Sequence, residues 1–332
     1  MALYKADFMS GGGSGSAVAC PLGKLVADGA VSESVLPYSF YDGSAVVYNN
    51  EIHILGGSGN SGYEHYKYNG SNWESVSTLP YQLQFGGAVV YNNEIHILGS
   101  SVSGNYTKHY KWNGSSWESV STLPYNFYDG RAVVLNNEIH ILGGDGGNTQ
   151  HYKWNGSSWV SVSTLPYGFV YGGAVVWNNE IHILGANLSG KTKYHYKWNG
   201  SSWSSVSTLP IDFACSIAVV WNDKIHLLGG NNNVKNYHYK YDGISWTSVS
   251  TLPYDFYYGG AVIYNKFIHI LGGTYGMTKH YSLKSGTFLI GYAKKDSEIY
   301  YPISSTAITD NLQAITDGYK VTADGKVEIM NL

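Results

Sequence analysis

Short apolar runs of four to seven residues, cut at regular places by glycine, asparagine or proline, fill most of the chain. Ala45-Val-Val-Tyr48 is apolar and β-branched and stops at Asn49-Asn50, two residues that tolerate positive φ and suit a tight hairpin turn. Ile52-His-Ile-Leu55 resumes the strand and ends at Gly56-Gly57. After a polar stretch, His65-Tyr-Lys-Tyr68 runs into Asn69-Gly70, a second hairpin signal. Trp73-Glu-Ser-Val-Ser-Thr-Leu79 then closes at Pro80, which cannot donate to a ladder. The pattern predicts four short antiparallel strands with both faces partly apolar.

The same unit returns along the chain. GSAVVYNNEIHILGG at 43–57 is followed by close copies at 86–100, 130–144 and 172–186 and looser ones at 216–230 and 259–273. The first glycines of the closing pairs, Gly56, Gly99, Gly143, Gly185, Gly229 and Gly272, recur every 42 to 44 residues. A period of this size marks a stacked or radial array, because one such unit cannot bury two apolar faces alone. Radial stacking about an axis satisfies every unit and leaves few strand edges.

The glycine pair, the aromatic before the third turn, the Trp a little further on and the closing Leu-Pro resemble the kelch repeat of β-propellers. Six copies span about residues 36–292, so the resemblance implies an all-β, six-bladed propeller of four-stranded antiparallel blades. It implies little about activity, since one fold hosts many functions. Ser100 and Ala186 stand where the other copies have the second glycine, and Phe288 stands where a Trp is found at 73, 117, 159, 203 and 246. These read as tolerated variants, the last as a worn final strand.

The ends depart from the repeat. Residues 1–29 read as an N-terminal arm, with 1–9 as one short strand or attachment arm and 10–19, SGGGSGSAVA, as a flexible spacer. Aligning Leu36-Pro37 with Leu79-Pro80 makes 30–36 a fourth strand ahead of the first blade, suited to complete blade six and close the ring. The propeller is therefore drawn over 30–292. Residues 293–332 form a small C-terminal extension, with a hairpin around Asp324-Gly325 and one or two helical turns in TAITDNLQAI.

Composition narrows the function. A net charge of −3 with 13% charged residues gives no basic stripe for nucleic acid. Lys67, Lys111, Lys153, Lys197 and Lys240 recur singly, one per blade, as a solvated face does. No apolar stretch is long enough to span a membrane, and the first residues lack the apolar core of a secretory signal. Cys20 and Cys215 are the two cysteines and are not expected to pair. The 31 Tyr and 10 Trp suit a surface that meets polar ligands with aromatic faces, or repeated core aromatics.

Twelve histidines fall two per blade, at 53, 96, 140, 182, 226 and 269 and at 65, 109, 151, 195, 238 and 280. Equivalent positions in different blades radiate apart, and two imidazoles are a poor zinc set. They read as structural, and neither a metal nor a cofactor is expected. No nucleophile elbow is present. The carboxylates Asp42 and Asp129 share one loop position and Asp212 and Asp255 another, and all four could face the central opening. Their recurrence reads as turn capping by Asx side chains, with a glycosidase-like acid pair as the catalytic alternative.

Strand parity separates two faces. The repeated Asn-Asn and Asn-Gly turns share one, as scaffold. The other carries the loops between second and third strands, which differ freely, and the aromatic blade-to-blade links. In the links, the Phe at the third position reads as core and the tyrosines as exposed. The expected function is a non-enzymatic recognition or structural module. It would bind a surface polysaccharide or protein through Tyr41, Asp42, Tyr128, Asp129, Tyr171, Asp255 and Tyr258. The alternatives are a carbohydrate-active enzyme using loop acids at the axis, and a bacterial kelch adaptor in the cytoplasm. Near-identical blades with Tyr/Asn/Gly/Ser-rich surfaces, an arm and a small C-terminal appendage resemble bacteriophage tail and baseplate proteins. That context implies a virion component exposed outside the cell without a signal peptide and joined to other virion proteins through its termini.

Overall fold

The computed structural model describes residues 29–284 apart from 188–192, 231–234, 250 and 274–276. Beyond that range it describes the backbone of seven short strands. The chain divides into two compact units, Ala30–Leu283 and the two ends together.

The larger unit is six four-stranded antiparallel sheets, each a meander. The first is Ser44–Tyr48, Glu51–Leu55, Glu64–Tyr68 and Trp73–Thr78, and the next four repeat it at the predicted spacing. In the sixth, Gly260–Tyr264, Phe267–Leu271 and His280–Lys284 are joined by Gly29–Ser32 as the fourth strand. The ring thus closes with a strand taken from before blade one. Asn49 and Asn50 have φ of 49° and 59°, and the other five blades repeat this geometry at their first turn, as a two-residue hairpin needs.

The core lies between successive blades rather than within one. Val46, Tyr48 and Leu55 of blade one pack with Leu83, Ile95, Ile97 and Trp112. The link phenylalanines Phe40, Phe127, Phe169, Phe213 and Phe256 are buried, as the sequence implied, and Leu83 takes that place in the second link. Five of the six links begin with a tyrosine, the fifth with Ile211, and these tyrosine rings are buried or half-buried against the core rather than exposed. Tyr38, Tyr81, Tyr125, Tyr167 and Tyr254 donate their hydroxyls to the carbonyls of Gly56, Gly99, Gly143, Gly185 and Gly272.

One glycine position explains the period. Gly99 has φ of 59°, and a Cβ there would lie 1.9 Å from the Phe127 carbonyl oxygen of the next link. The second member of the pair meets no such limit in every blade, which accommodates Ser100 and Ala186. Its N–H bonds the next link, as Gly57 N does to Leu83 O and Gly273 N to Phe40 O across the closure.

The histidines form hydrogen-bonded relays. His53 Nδ1 lies 2.8 Å from His65 Nε2, and His65 Nδ1 lies 2.9 Å from Ser77 Oγ. Ser77 Oγ accepts the indole N–H of Trp117 from the next blade at 3.0 Å. Indole only donates, and a serine hydroxyl has two lone pairs, so Ser77 Oγ accepts from Trp117 whichever way its bond to His65 runs. Of His53 Nδ1 and His65 Nε2, one carries the hydrogen and the other accepts it. The same relay runs His96–His109–Ser121–Trp159, His140–His151–Ser163–Trp203 and His182–His195–Ser207–Trp246. Both imidazoles are neutral in this arrangement.

The other unit pairs the two ends of the chain. Leu3–Ala6 is antiparallel to Glu298–Pro302, which also pairs Ala293–Lys295. Gly23–Val26 pairs Thr287–Ile290. The backbone around Phe288 is therefore not the last strand of blade six, and the repeat array expected to reach 292 stops at Leu283. Gly318–Val321 and Val327–Met330 form a hairpin. The spacer at 10–19 and the helical turns expected in TAITDNLQAI lie outside the described residues.

Candidate functional site

The residue three places before the alanine of each AVV or AVI run sits at the axis. These are Asp42, Phe85, Asp129, Tyr171, Cys215 and Tyr258, with φ from 55° to 60° at all six. Their backbones form a closed ring. Phe85 N–H donates to Asp42 O, Asp129 to Phe85, Tyr171 to Asp129, Cys215 to Tyr171, Tyr258 to Cys215 and Asp42 to Tyr258, at 2.7 to 3.0 Å. All six side chains line a cavity of about 210 Å³, room for about seven waters at about 30 Å³ each. It is lined by the last residues of the links and the first residues of the inner strands.

Each carboxyl is held by one oxygen. Asp42 bonds the Ser58 side chain and Asp129 the Tyr171 hydroxyl. Oδ1 of both is buried with no partner, as is Ser216 Oγ. Burial pushes Asp42 up to about 7, opposed by the Ser58 bond and aided by the charge of Asp129. Asp129 is raised by burial to about 6, with the Tyr171 bond and Arg131 pulling it back. Burial likewise raises the Cys215 thiol, which bonds Tyr258. Two residues deeper, Arg131 donates from Nη1 to Gly130 O at 2.8 Å, and its Nη2 reaches Ser216 O of blade five at 3.4 Å. The guanidinium therefore crosses the cavity, and its own charge is disfavoured by burial.

The structure brings four of the seven expected residues together here: Asp42, Asp129, Tyr171 and Tyr258. The other three do not line the cavity. Tyr41 donates to Ser58 O at 3.2 Å and Tyr128 to Asp145 Oδ1 at 2.5 Å, both on the outer rim. Asp255 is exposed on its link, and Asp212 is half-buried on the equivalent one. Turn capping does not describe Asp42 and Asp129, whose Oδ1 atoms bond no N–H. Phe85, Cys215 and Arg131 are axial residues that the sequence reading passed over. The signal was there: Asp, Phe, Asp, Tyr, Cys and Tyr occupy one register between near-identical neighbours. Among the described residues no three His, Cys, Asp or Glu side chains group as metal ligands, and no helix is long and apolar enough to cross a membrane.

The left-handed conformation costs an L-residue other than Asn or Asp about 1–2 kcal/mol, yet no axial position is Gly. If Phe85 is kept for its side chain, Phe85→Asn should leave stability within about 1 kcal/mol of the original, because Asn accepts positive φ. Chemical denaturation checks this. A loss of about 3 kcal/mol or more, the usual result for a buried aromatic, would make Phe85 ordinary core.

The fold and the axial cavity define a six-bladed β-propeller with a closed ring and asymmetric side chains at its centre. Among solved structures it is similar to one described as the structure of YjhT, with a TM-score of 0.65 and 15% identity over 79% of this chain and 99% of that one. No protein-family model and no curated protein matches the chain.

Proposed function

We propose that this chain is a recognition module that binds a polar group of a surface glycan in the axial cavity, with the outer loops and rim tyrosines adding contacts. The observation that supports it is the ring of six non-glycine residues at positive φ. Backbone strain persists where the side chain is needed, and here it surrounds an opening with unpaired carboxyl oxygens. Tyr41, Tyr128 and Asp255 belong to the outer surface in this reading. The kelch likeness of the repeat and the phage-tail context rest on the sequence motifs and extend the proposal to a virion component. One site of this size would bind weakly, near millimolar or about 4 kcal/mol, and copies in an assembly would raise avidity by about 10²–10⁴.

A second reading has one observation in its favour. Asp42, raised to about 7, is suited to donate a proton at neutral pH, as a general acid in sugar chemistry must. One experiment separates the two. Glycan and whole-cell binding are measured for the original chain and for Asp129→Asn with Tyr171→Phe, while released products are followed. The recognition reading expects at least a tenfold loss of binding in a variant that melts normally, with no product. Time-dependent sugar release that Asp42→Asn abolishes would establish the enzyme instead.

A further inference from the structure

The cavity's polar groups are unequally spent. Tyr171 is engaged with Asp129, Tyr258 with Cys215 and Ser58 with Asp42, while Arg131 is directed at the carbonyls of Gly130 and Ser216. What remains without a partner is Oδ1 of Asp42, Oδ1 of Asp129 and Ser216 Oγ, on side chains that are 8%, 7% and 3% exposed. Two of the three can only accept when ionised, and buried acceptors left unmade cost about 1–3 kcal/mol each. A ligand has to bring donors.

Resting on the reading of the axial cavity as the ligand site, we propose that it selects a group bearing one ammonium beside a hydroxyl, such as the free amine of an amino sugar, and that binding releases a proton from the Asp42–Asp129 pair. Charge balance favours this over a neutral polyol or an anion. Asp42 and Asp129 against Arg131 leave one net negative charge in a buried space. Cys215, Tyr171 and Tyr258 are the other titratable groups facing it, and burial holds the Cys215 thiol and the Tyr171 hydroxyl in their neutral forms near pH 7. In the unliganded cavity a proton on the acid pair removes that charge, consistent with the raised values of both carboxyls. A monocation that donates to both Oδ1 atoms takes the place of that proton. A neutral ligand leaves the proton where it is, and an anion adds repulsion. The guanidinium of Arg131 donates to backbone oxygens and not to the Oδ1 atoms, and its charge is already counted in this balance.

The sign follows by linkage. The ligand favours the ionised pair, so affinity rises with pH up to about 7 and levels off above it. Ethanolamine, charged throughout, is titrated at pH 5.5 and 7.5 with ethylene glycol and glycolate as neutral and anionic controls at matched ionic strength. Chemical shifts report binding, and calorimetry in buffers of different ionisation enthalpy counts protons. The expected result is binding of ethanolamine about tenfold tighter at pH 7.5, with up to one proton released near pH 6.5 and at least a tenfold loss in Asp42→Asn. Asn is compatible with φ of 58° at that position, and an unchanged melting temperature shows that the variant folds. No ethanolamine binding, binding without proton release, or equal binding of ethylene glycol overturns the ammonium assignment. If neutral glycans still bind and Asp129→Asn with Tyr171→Phe weakens them, the recognition reading stands without it; if that pair of substitutions changes nothing, both fall.

Discussion

Acidification is expected to unfold the propeller cooperatively between about pH 4.5 and 6, well above the pH at which carboxylates alone would do so. Burial lowers the second-strand histidines His53, His96, His140, His182 and His226 to about 4. Their third-strand partners His65, His109, His151, His195, His238 and His280 are lowered to about 3. In the unfolded chain these groups titrate near 6.5. The unfolded state therefore binds more protons between 6.5 and 3–4, so stability is full above 6.5 and is lost as pH falls below it. Each histidine held neutral contributes about 1.4 kcal/mol of loss per pH unit. A total stability of about 5–15 kcal/mol is exhausted within one or two units even if each pair counts once. The relay gives the structural reason: His53 Nδ1 and His65 Nε2 face each other at 2.8 Å and share one hydrogen, so both rings cannot be charged without breaking that buried bond. Circular dichroism across pH 7 to 4 with potentiometric proton uptake measures the effect. A fold that keeps its melting temperature at pH 4 would show that the imidazoles are charged in place and that the relay is drawn wrongly.

The ring was legible because each blade repeats its own punctuation. Asn-Asn, Gly-Gly, Asn-Gly and Leu-Pro each mark a backbone event that the structure needs, from paired positive φ to the 1.9 Å approach at Gly99. The relay was half legible. Regular spacing marked the histidines as structural, but the Ser and Trp partners lie 12 and about 40 residues away in different strands and blades. The axial site was legible only by register. Tyr41 and Asp42 are neighbours in the chain, yet one step separates the outer rim from the cavity, and residue type does not say which side of that step a ring falls on. Arg131 was hidden by its setting inside GRAVV, where it reads as a surface strand residue. Blade six was legible in its closure, since Leu36-Pro37 marked the segment before blade one as its fourth strand, but its C-terminal bound was drawn too far because the chain after its third strand is locally strand-like.

Removing residues 1–36 is expected to lower the unfolding temperature by about 10–20 °C, the largest effect of any change outside the blade cores. That segment supplies the fourth strand of blade six. Glu33 N–H donates to His280 O and Leu36 N–H to Thr278 O, each at 2.8 Å, while Ser282 Oγ donates to Glu33 Oε1 at 2.6 Å. Leu36 is 3% exposed in the cluster that joins blades one and six. Losing one buried leucine costs about 2–5 kcal/mol, and the abandoned strand edge and the buried His280 and Ser282 add to it. At about 2–4 °C per kcal/mol the sum reaches the stated range. The truncation also removes Leu3–Ala6 and Gly23–Val26, so a point variant isolates the seam. Glu33→Pro deletes one ladder donor and the carboxylate that accepts from Ser282 while leaving the rest of the chain intact, at a cost of about 1–3 kcal/mol for each partner left unpaired. The seam is also where the relay fails to close. Trp73 Nε1, Ser34 Oγ and His280 Nδ1 hold the three places that bond in other blades, and all three are buried without a partner. Blade six should therefore open first. Hydrogen exchange should be faster over Phe267–Lys284 than over Glu94–Trp112, and faster still in Glu33→Pro. Equal exchange across the blades, with an unchanged melt in both variants, would mean that the strand only covers an edge and does not hold the ring shut.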